Sequence, residues 1–415
     1  MRVLYLVHQF FPKHYTGTER FTLSLAHQVS RMGHLPTVIT YERDSRIEGF
    51  SPISEDILIK QYTYQGVNVI CFAHSKQPPN LEMFDSSIEK AFNKLDIKCD
   101  IVHLCHPMWL SSIAKECKQR SIPVVFTITD AWLLCPRSLV DVHFKLCDGP
   151  KRGKKCITNC NLHRKIANRY QEALSLFNSV DELTTSSKFT ASLFKRNGWK
   201  RRVRLVGHSI DYNYVRKTHN DREASVSFGY MGTIDWHKGL HVLINAFKKV
   251  KASNVKLNVY GSLRDNPQYG NDIYQTAKDD PRIRFKGPFD IVNSADVMNN
   301  ISALVVPSVY YDNYPLVTLM SLAYNTPVIG SDIGGIPEII SDGKNGFLFK
   351  PGSSEELASL IERIAAKPEI LKRLRENIVS PRRVEEEALD YENIYRKLTT
   401  QFFPLPESEH RGESR

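Results

Sequence analysis

The sequence predicts an α/β protein of two doubly wound domains facing one another across a cleft. Three observations predict it. The chain has 415 residues, more than one hydrophobic core usually organises. Apolar runs of strand length alternate with segments of helical period, the pattern of parallel strands joined by crossover helices. The alternation runs twice, in two series separated by a polar stretch at 207–220 where periodicity lapses.

The first series opens with a strand at 3–7, a glycine-bearing loop and a helix at 19–32. Phe21, Leu25, Val29 and Met32 form the apolar stripe of that helix, and Gly33 follows as its stop. A strand at 37–40 comes next. Residues 57–72, rich in β-branched and aromatic types, read as an inserted strand pair. Strands at 101–104 and 123–128 flank a helix ending at Arg120, and strands at 181–185 and 203–206 close this half. The second series places strands at 227–231, 256–260, 282–285, 303–306, 327–330 and 347–349. The expected division is therefore an N-terminal Rossmann-like domain at 1–207 with a cysteine loop at 135–160, a C-terminal one at 208–382 and a helix at 383–403. The tail at 404–415, full of Pro, Glu, Ser and Arg, reads as disordered.

Composition narrows the class. With 41% hydrophobic, 10% aromatic and 24% charged residues, the chain reads as ordinary globular protein and not as a fibre, tail or coiled coil. Lys and Arg total 56 against 45 Asp and Glu, a net charge of +11. That excess suits a phosphate-bearing small molecule, an anionic membrane face or nucleic acid. No basic stripe interleaved with aromatics is present, so a nucleic-acid partner is not expected. No apolar run approaches the length of a membrane span, and the N-terminus reads as a core strand, so a cytoplasmic protein is expected. Lys195, Arg196, Lys200, Arg201, Arg202, Arg204, Lys248, Lys249 and Lys251 would draw anionic headgroups at a membrane face, each adding about 1 kcal/mol. Solvated helix faces have the same appearance.

In open parallel sheets ligands lie beyond the carboxyl ends of the strands, so motifs that follow strands carry the chemistry. After the first strand, Gly17 and Thr18 open directly onto a helix, where backbone amides can approach an anion. After the first strand of the second half, Lys238 stands near a helix start and can meet a diphosphate. The densest stretch begins at Pro307, includes Asp312 and Pro315, and runs through Met320 to Gly334, Gly335 and Glu338. It pairs a carboxylate after a strand with a helix start and a double-glycine loop.

Together these stretches resemble the retaining, nucleotide-sugar-dependent glycosyltransferases of family 4, which have the GT-B architecture of two facing Rossmann-like domains. The resemblance covers nearly the whole chain. It includes Lys238-Gly239 followed by Leu243-Ile244-Asn245-Ala246-Phe247, and the segment 186–211 leading into the linker. A further stretch, Asp130-Ala131-Trp132-Leu133-Leu134-Cys135-Pro136-Arg137 with the cysteines after it, marks one subgroup. The resemblance implies transfer of a hexosyl or related sugar from a UDP- or GDP-sugar to a hydroxyl acceptor, glycan or lipid-linked, in glycan, polysaccharide or glycolipid synthesis. The first domain would face the acceptor and the second would hold the donor. By the same resemblance Lys238 binds the donor diphosphate, and Gly17 and Thr18 close over the donor. Asp312, the first of two acidic positions separated by seven residues, positions the sugar. Asp130 is the second catalytic candidate, and the amides near Leu316 and Val317 face the phosphates. No catalytic metal or cofactor is implied. Fixed donors at the diphosphate would stabilise the charge that the leaving group gains in the transition state.

Three positions depart from the pattern. The second acidic position holds Met320, whose thioether is a weak acceptor. The arginine that often accompanies the lysine is Thr233, and the histidine that usually precedes Asp130 is Thr129. These departures define the competing reading, a catalytically degenerate GT-B protein that binds donor or scaffolds a partner.

Four of the eight cysteines crowd together. Cys135, Cys147, Cys156 and Cys160 are separated by eleven, eight and three residues, with His143 and His163 nearby. Four thiolates suit tetrahedral zinc, which would supply folding energy to a loop too polar for a core of its own. Free thiols, a redox pair and an iron–sulfur cluster are the alternatives.

Overall fold

The structure, a computed structural model, describes residues 1–44, 46, 48–76, 83–162, 166–211, 225–289 and 294–402. Most of the expected linker and the whole 404–415 tail lie outside the described residues. Two sheets form the frame. The first contains β1 (Arg2–Leu6), β2 (Leu35–Tyr41), β3 (Ser51–Pro52), β4 (Ile57–Tyr64), β5 (Val67–His74), β6 (Ile101–Leu104), β7 (Val124–Ile128), β8 (Glu182–Thr185) and β9 (Arg204–Leu205). Its order is β3-β4-β5-β2-β1-β6-β7-β8-β9. The second contains β10 (Val226–Met231), β11 (Val255–Tyr260), β12 (Ile283–Gly287), β13 (Ala303–Val306), β14 (Val328–Ser331) and β15 (Gly346–Phe349), in the order β12-β11-β10-β13-β14-β15. All pairings in the second sheet are parallel.

The second sheet thus follows the doubly wound order 3-2-1-4-5-6, and the first embeds the same order from β5 to β8. In each sheet the winding reverses beside its first strand: between β1 and β6, and between β10 and β13. Those switch points are where such sheets leave a crevice for a ligand.

Residues 57–72 are less of an insertion than the sequence suggests. β5 pairs in parallel with β2 and is a regular member of the wound order, while β4 folds back on it antiparallel. The two-residue turn between them puts Gln65 at φ 47° and Gly66 at φ 83°, the left-handed pair that a tight hairpin prefers. The alternating burial of β4 comes from its place near the sheet edge.

The C-terminal helix Val384–Phe402 also differs from expectation, because it is not a separate end piece. Tyr391, Tyr395 and Leu398 are buried in the core cluster of Val3, Tyr5 and Val7 on the N-terminal sheet. His103 of β6 bridges Tyr395 Oη and Thr127 Oγ1 at 2.6 Å each. The chain therefore crosses between the domains twice, and the two crossings run side by side: Ile210 N donates to Arg382 O at 3.2 Å. Glu387 accepts from His208 Nδ1 at 2.9 Å and from Ser209 N at 3.0 Å, tying the helix to the first crossing.

Candidate active site

At the switch point of the second sheet, the loops after β10 and β13 meet. Trp236–Lys238 form one 3₁₀ turn, capped by Asp235, and Gly239 links it to the helix Leu240–Lys249. Lys238 Nζ donates to Asp312 Oδ1 at 2.8 Å and to Tyr310 Oη at 2.9 Å. Tyr310 Oη in turn donates to Asp312 Oδ1 at 2.6 Å, and Ser308 Oγ donates to Asp312 Oδ2 at 2.6 Å. Burial pushes the Asp312 carboxyl up, but Lys238 and the two hydroxyls overcome it and hold it below the ordinary carboxylate range. Burial likewise opposes the charged Lys238, and Asp312 with Tyr310 more than restores it, raising the ammonium above its ordinary value. The Lys238 side chain keeps 26% of its surface exposed, so the charge is fixed from behind and open in front.

Two glycine positions make this meeting possible. A Cβ on Gly239, at φ 73°, would stand 1.8 Å from Pro307 O; one on Gly335 would stand 1.7 Å from Asn313 O. Gly335 N donates to Asp312 O at 2.8 Å, so the double-glycine loop holds the backbone that carries the carboxylate.

The switch point of the first sheet carries a second cluster. His106, after β6, approaches Asp130, after β7, at 3.6 Å. The imidazole absent from position 129 is thus supplied to Asp130 by the neighbouring strand. Enclosure pushes the Asp130 carboxyl up, and His106 with the Trp132 amide brings it below its ordinary value. His8, after β1, lies 3.8 Å ring to ring from His106 and 3.9 Å from the buried Glu19. Burial and His106 hold His8 well below the usual imidazole range. One oxygen of Glu19 and Nδ1 of His8 are buried without a partner. Gly17 and Thr18 form the first turn of the helix Gly17–Arg31, whose N-cap Thr16 makes no capping bond. Its hydroxyl donates to Glu19 Oε2 at 2.6 Å instead.

The two sides are clasped together. Asn313, buried beside Asp312, accepts from Ser187 Oγ at 2.6 Å and Thr190 Oγ1 at 2.7 Å, and donates to Ser186 Oγ at 3.0 Å. Glu338 accepts from the amides of Lys188 and Phe189 at 2.8 and 2.6 Å, capping an N-terminal-domain helix from the other domain.

The structure therefore brings Lys238 and Asp312 into direct contact. It places Gly17, Thr18 and Asp130 at the other switch point, with no hydrogen bond or ion pair to either. Leu316 and Val317 begin the helix Leu316–Ala323, whose first turn has no side-chain cap and leaves its amides for another acceptor. Met320 is buried in the apolar cluster of Met231, Val306 and Leu319, so this position serves core packing. Thr233 offers its carbonyl to Tyr230 Oη at 2.7 Å. The sequence reading included Ser308, Tyr310, Asn313 and Glu338 in its densest stretch but gave them no role. Tyr310 and Ser308 stand two and four residues before Asp312, but a loop hydroxyl carries no code without the geometry; the partners of the other two belong to the opposite domain.

Cys135, Cys156 and Cys160 are buried free thiols and Cys147 is a half-buried one. Among the described residues no three metal-ligating groups meet at a common point. His163 lies outside them. Of the basic surface, Arg201 is engaged internally, donating to Phe177 O at 2.8 Å and Val180 O at 2.7 Å, and Arg204 pairs with Glu182 at 2.9 Å. Among the described residues no helix is long and apolar enough to cross a membrane.

Two wound sheets with facing switch points define the GT-B class of fold. Sucrose-phosphate synthase from Thermosynechococcus elongatus superposes with a TM-score of 0.73 at 17% identity, over 96% of this chain and 99% of its own. Anabaena HepE, solved in complex with UDP and glucose, superposes with a TM-score of 0.67 at 16% identity, over 97% and 98%. Residues 15–214 match the family model described as Glycosyltransferase Family 4, and residues 213–379 match that of Glycosyl transferases group 1. The chain belongs to glycosyltransferase family 4. Among curated relatives, the capsular polysaccharide biosynthesis glycosyltransferase CapM of Staphylococcus aureus is 26% identical over 209 residues, 46% of this chain and 54% of CapM. The chain thus spans about half the length of the curated relatives it matches.

Proposed function

We propose that the chain transfers a sugar from a UDP- or GDP-sugar to a hydroxyl acceptor, with retention, in the synthesis of a polysaccharide or related glycan. The observation that carries this reading is the Lys238–Tyr310–Asp312 network at the switch point of the second sheet. Lys238 neutralises charge on the departing diphosphate while Asp312 and Tyr310 hold it in place. The uncapped first turn at Leu316 and Val317 adds amide donors on the same side. Asp312 orients the transferred sugar through its remaining lone pair. His106 and Asp130 face the acceptor from the first sheet, and Gly17 and Thr18 complete the site when the domains close. The relative CapM is named for capsular polysaccharide, and HepE was solved with UDP; both accord with this donor and product class. No metal enters the reaction as proposed, and the acceptor is a glycan or a lipid-linked glycan.

One observation favours the second reading, a donor-binding or scaffolding protein without turnover. Met320 is packed into the core, and a charge-assisted bond to a ribose hydroxyl from that position is worth about 1.5–3 kcal/mol. A panel of nucleotide sugars, offered with candidate acceptors, separates the two. The transferase reading predicts release of nucleotide from one donor and its loss in Lys238→Ala. Binding without release across the panel would leave the scaffold.

A further inference from the structure

The excess of positive charge is not spread over the chain. Segments 149–171 and 183–210 hold seven Lys or Arg each and no Asp or Glu, fourteen of the 56 basic residues in all. The remainder carries 42 basic residues against 45 acidic ones, so these two segments account for the whole net charge of +11. An ordinary solvated surface intersperses both signs, whereas an acid-free one repels itself and attracts an anionic partner.

The fold joins the two segments into one face. Asn197 Nδ2 donates to Asp148 O at 3.5 Å, and a Cβ on Gly149 would fall 1.8 Å from Asn197 Oδ1, so the first segment starts against the end of the helix Lys188–Arg196. A Cβ on Gly153 would stand 3.2 Å from Ala167 Cα, and Trp199 Nε1 donates to Tyr170 Oη at 2.8 Å. Both segments therefore lie against the helix Ile166–Ser179. Lys151, Arg152, Lys154, Lys195, Lys200 and Arg202 are exposed there. Lys155 and Arg204 pair with Asp148 and Glu182; among the described residues the six make no ion pair.

Apolar side chains accompany the charge. Val142, Phe144 and Leu146 are exposed in the loop that leads into the first segment, with exposed His143 and Lys145 between them. Phe144 meets Trp236 at 4.7 Å yet keeps 53% of its surface exposed. Leu205 is exposed beside Arg204 in the second segment. Basic side chains mixed with exposed apolar ones suit the boundary between headgroups and acyl chains, where each kind finds its own medium. A soluble polyanion would satisfy the charges alone.

We propose that this face of the first domain docks on an anionic lipid surface, with the basic side chains at the headgroups and Leu205 and the 142–146 loop at the acyl boundary. Docking there reaches the cleft. Arg196 lies 5.6 Å over the Phe189 ring, and Phe189 meets Tyr311, the neighbour of Asp312, at 5.1 Å. On the function proposed above, the docked face holds the cleft beside the headgroup of a lipid-linked acceptor.

The test does not depend on the transfer reaction. The full chain is sedimented with vesicles of phosphatidylcholine alone and of phosphatidylcholine with about one-third phosphatidylglycerol. Binding to the anionic vesicles is expected to be at least about tenfold tighter and to be released at about 0.5 M NaCl. Reversing Lys151, Lys154 and Lys200 to Glu together should abolish that preference. Reversing Lys344, Lys350 and Lys372, exposed lysines of the second domain, should leave it in place at the same net charge. If the first variant fails to fold, lipid selectivity and salt release of the wild type still decide. Equal binding to both vesicles, binding to neither, or equal loss in the two variants overturns the proposal. So does capture by dextran sulfate without binding to anionic vesicles, which would make the partner a soluble polyanion.

Discussion

Lys238 has three N–H donors, and two are taken, by Asp312 and Tyr310. The third is left for a ligand. Asp312 accepts three hydrogen bonds and so keeps about one free lone-pair site. One donor and one acceptor therefore face the cleft, matching a phosphate oxygen and a sugar hydroxyl. Tyr310→Phe removes the hydroxyl that braces both groups, at a loss of about 1.5–3 kcal/mol. Turnover of the donor identified in the panel should fall about 10- to 100-fold with the fold intact by circular dichroism; unchanged turnover would make Tyr310 a bystander. Lys238 and Asp312 were legible in the sequence because each follows a strand directly. Tyr310 was not singled out, since a tyrosine in a loop carries no code until the geometry puts its hydroxyl between two charges.

At the scale of elements, close approach and burial decide. Gly239→Ala puts a Cβ against Pro307 O at a left-handed φ, so the 3₁₀ turn must move. Strain at such a position is worth about 1–3 kcal/mol, and both the unfolding midpoint and nucleotide binding should drop. A wild-type midpoint would show that the turn yields freely. The return of the helix Val384–Phe402 onto the first sheet has a pH consequence. Burial takes His103 down to about 3 from 6.5, so the unfolded chain binds more protons between those values. Stability from this site is fully present above about pH 6.5 and is lost as pH falls toward the folded value. His103→Gln should flatten that part of the acid-unfolding curve, and an unaltered curve would refute the assignment. Parallel strands were legible as continuous apolar runs. β5 was harder, because its hairpin with β4 disguised a regular member of the wound sheet, and the docking of the last helix rests on tertiary contacts that periodicity does not encode.

Over the whole molecule, two wound sheets bring their switch points face to face, and the clasp at Asn313 keeps them there. Asn313→Ala would leave the hydroxyls of Ser186, Ser187 and Thr190 short of partners. The expected loss is at least about 2 kcal/mol, read by denaturant unfolding, with a larger radius of gyration in solution. A compact variant of wild-type stability would show that the domains are held elsewhere. Family and cleft were legible from motif positions, whereas the clasp was not, because its partners are far apart in sequence. The central claim is that the cleft face of Lys238 receives a nucleoside diphosphate. Calorimetric titration of UDP and GDP into wild type, Lys238→Ala and the surface control Lys251→Ala tests it most directly. The account predicts that one nucleotide binds wild type and Lys251→Ala equally and Lys238→Ala at least about tenfold more weakly, a difference of about 1.4 kcal/mol. Equal affinity in all three proteins would contradict it.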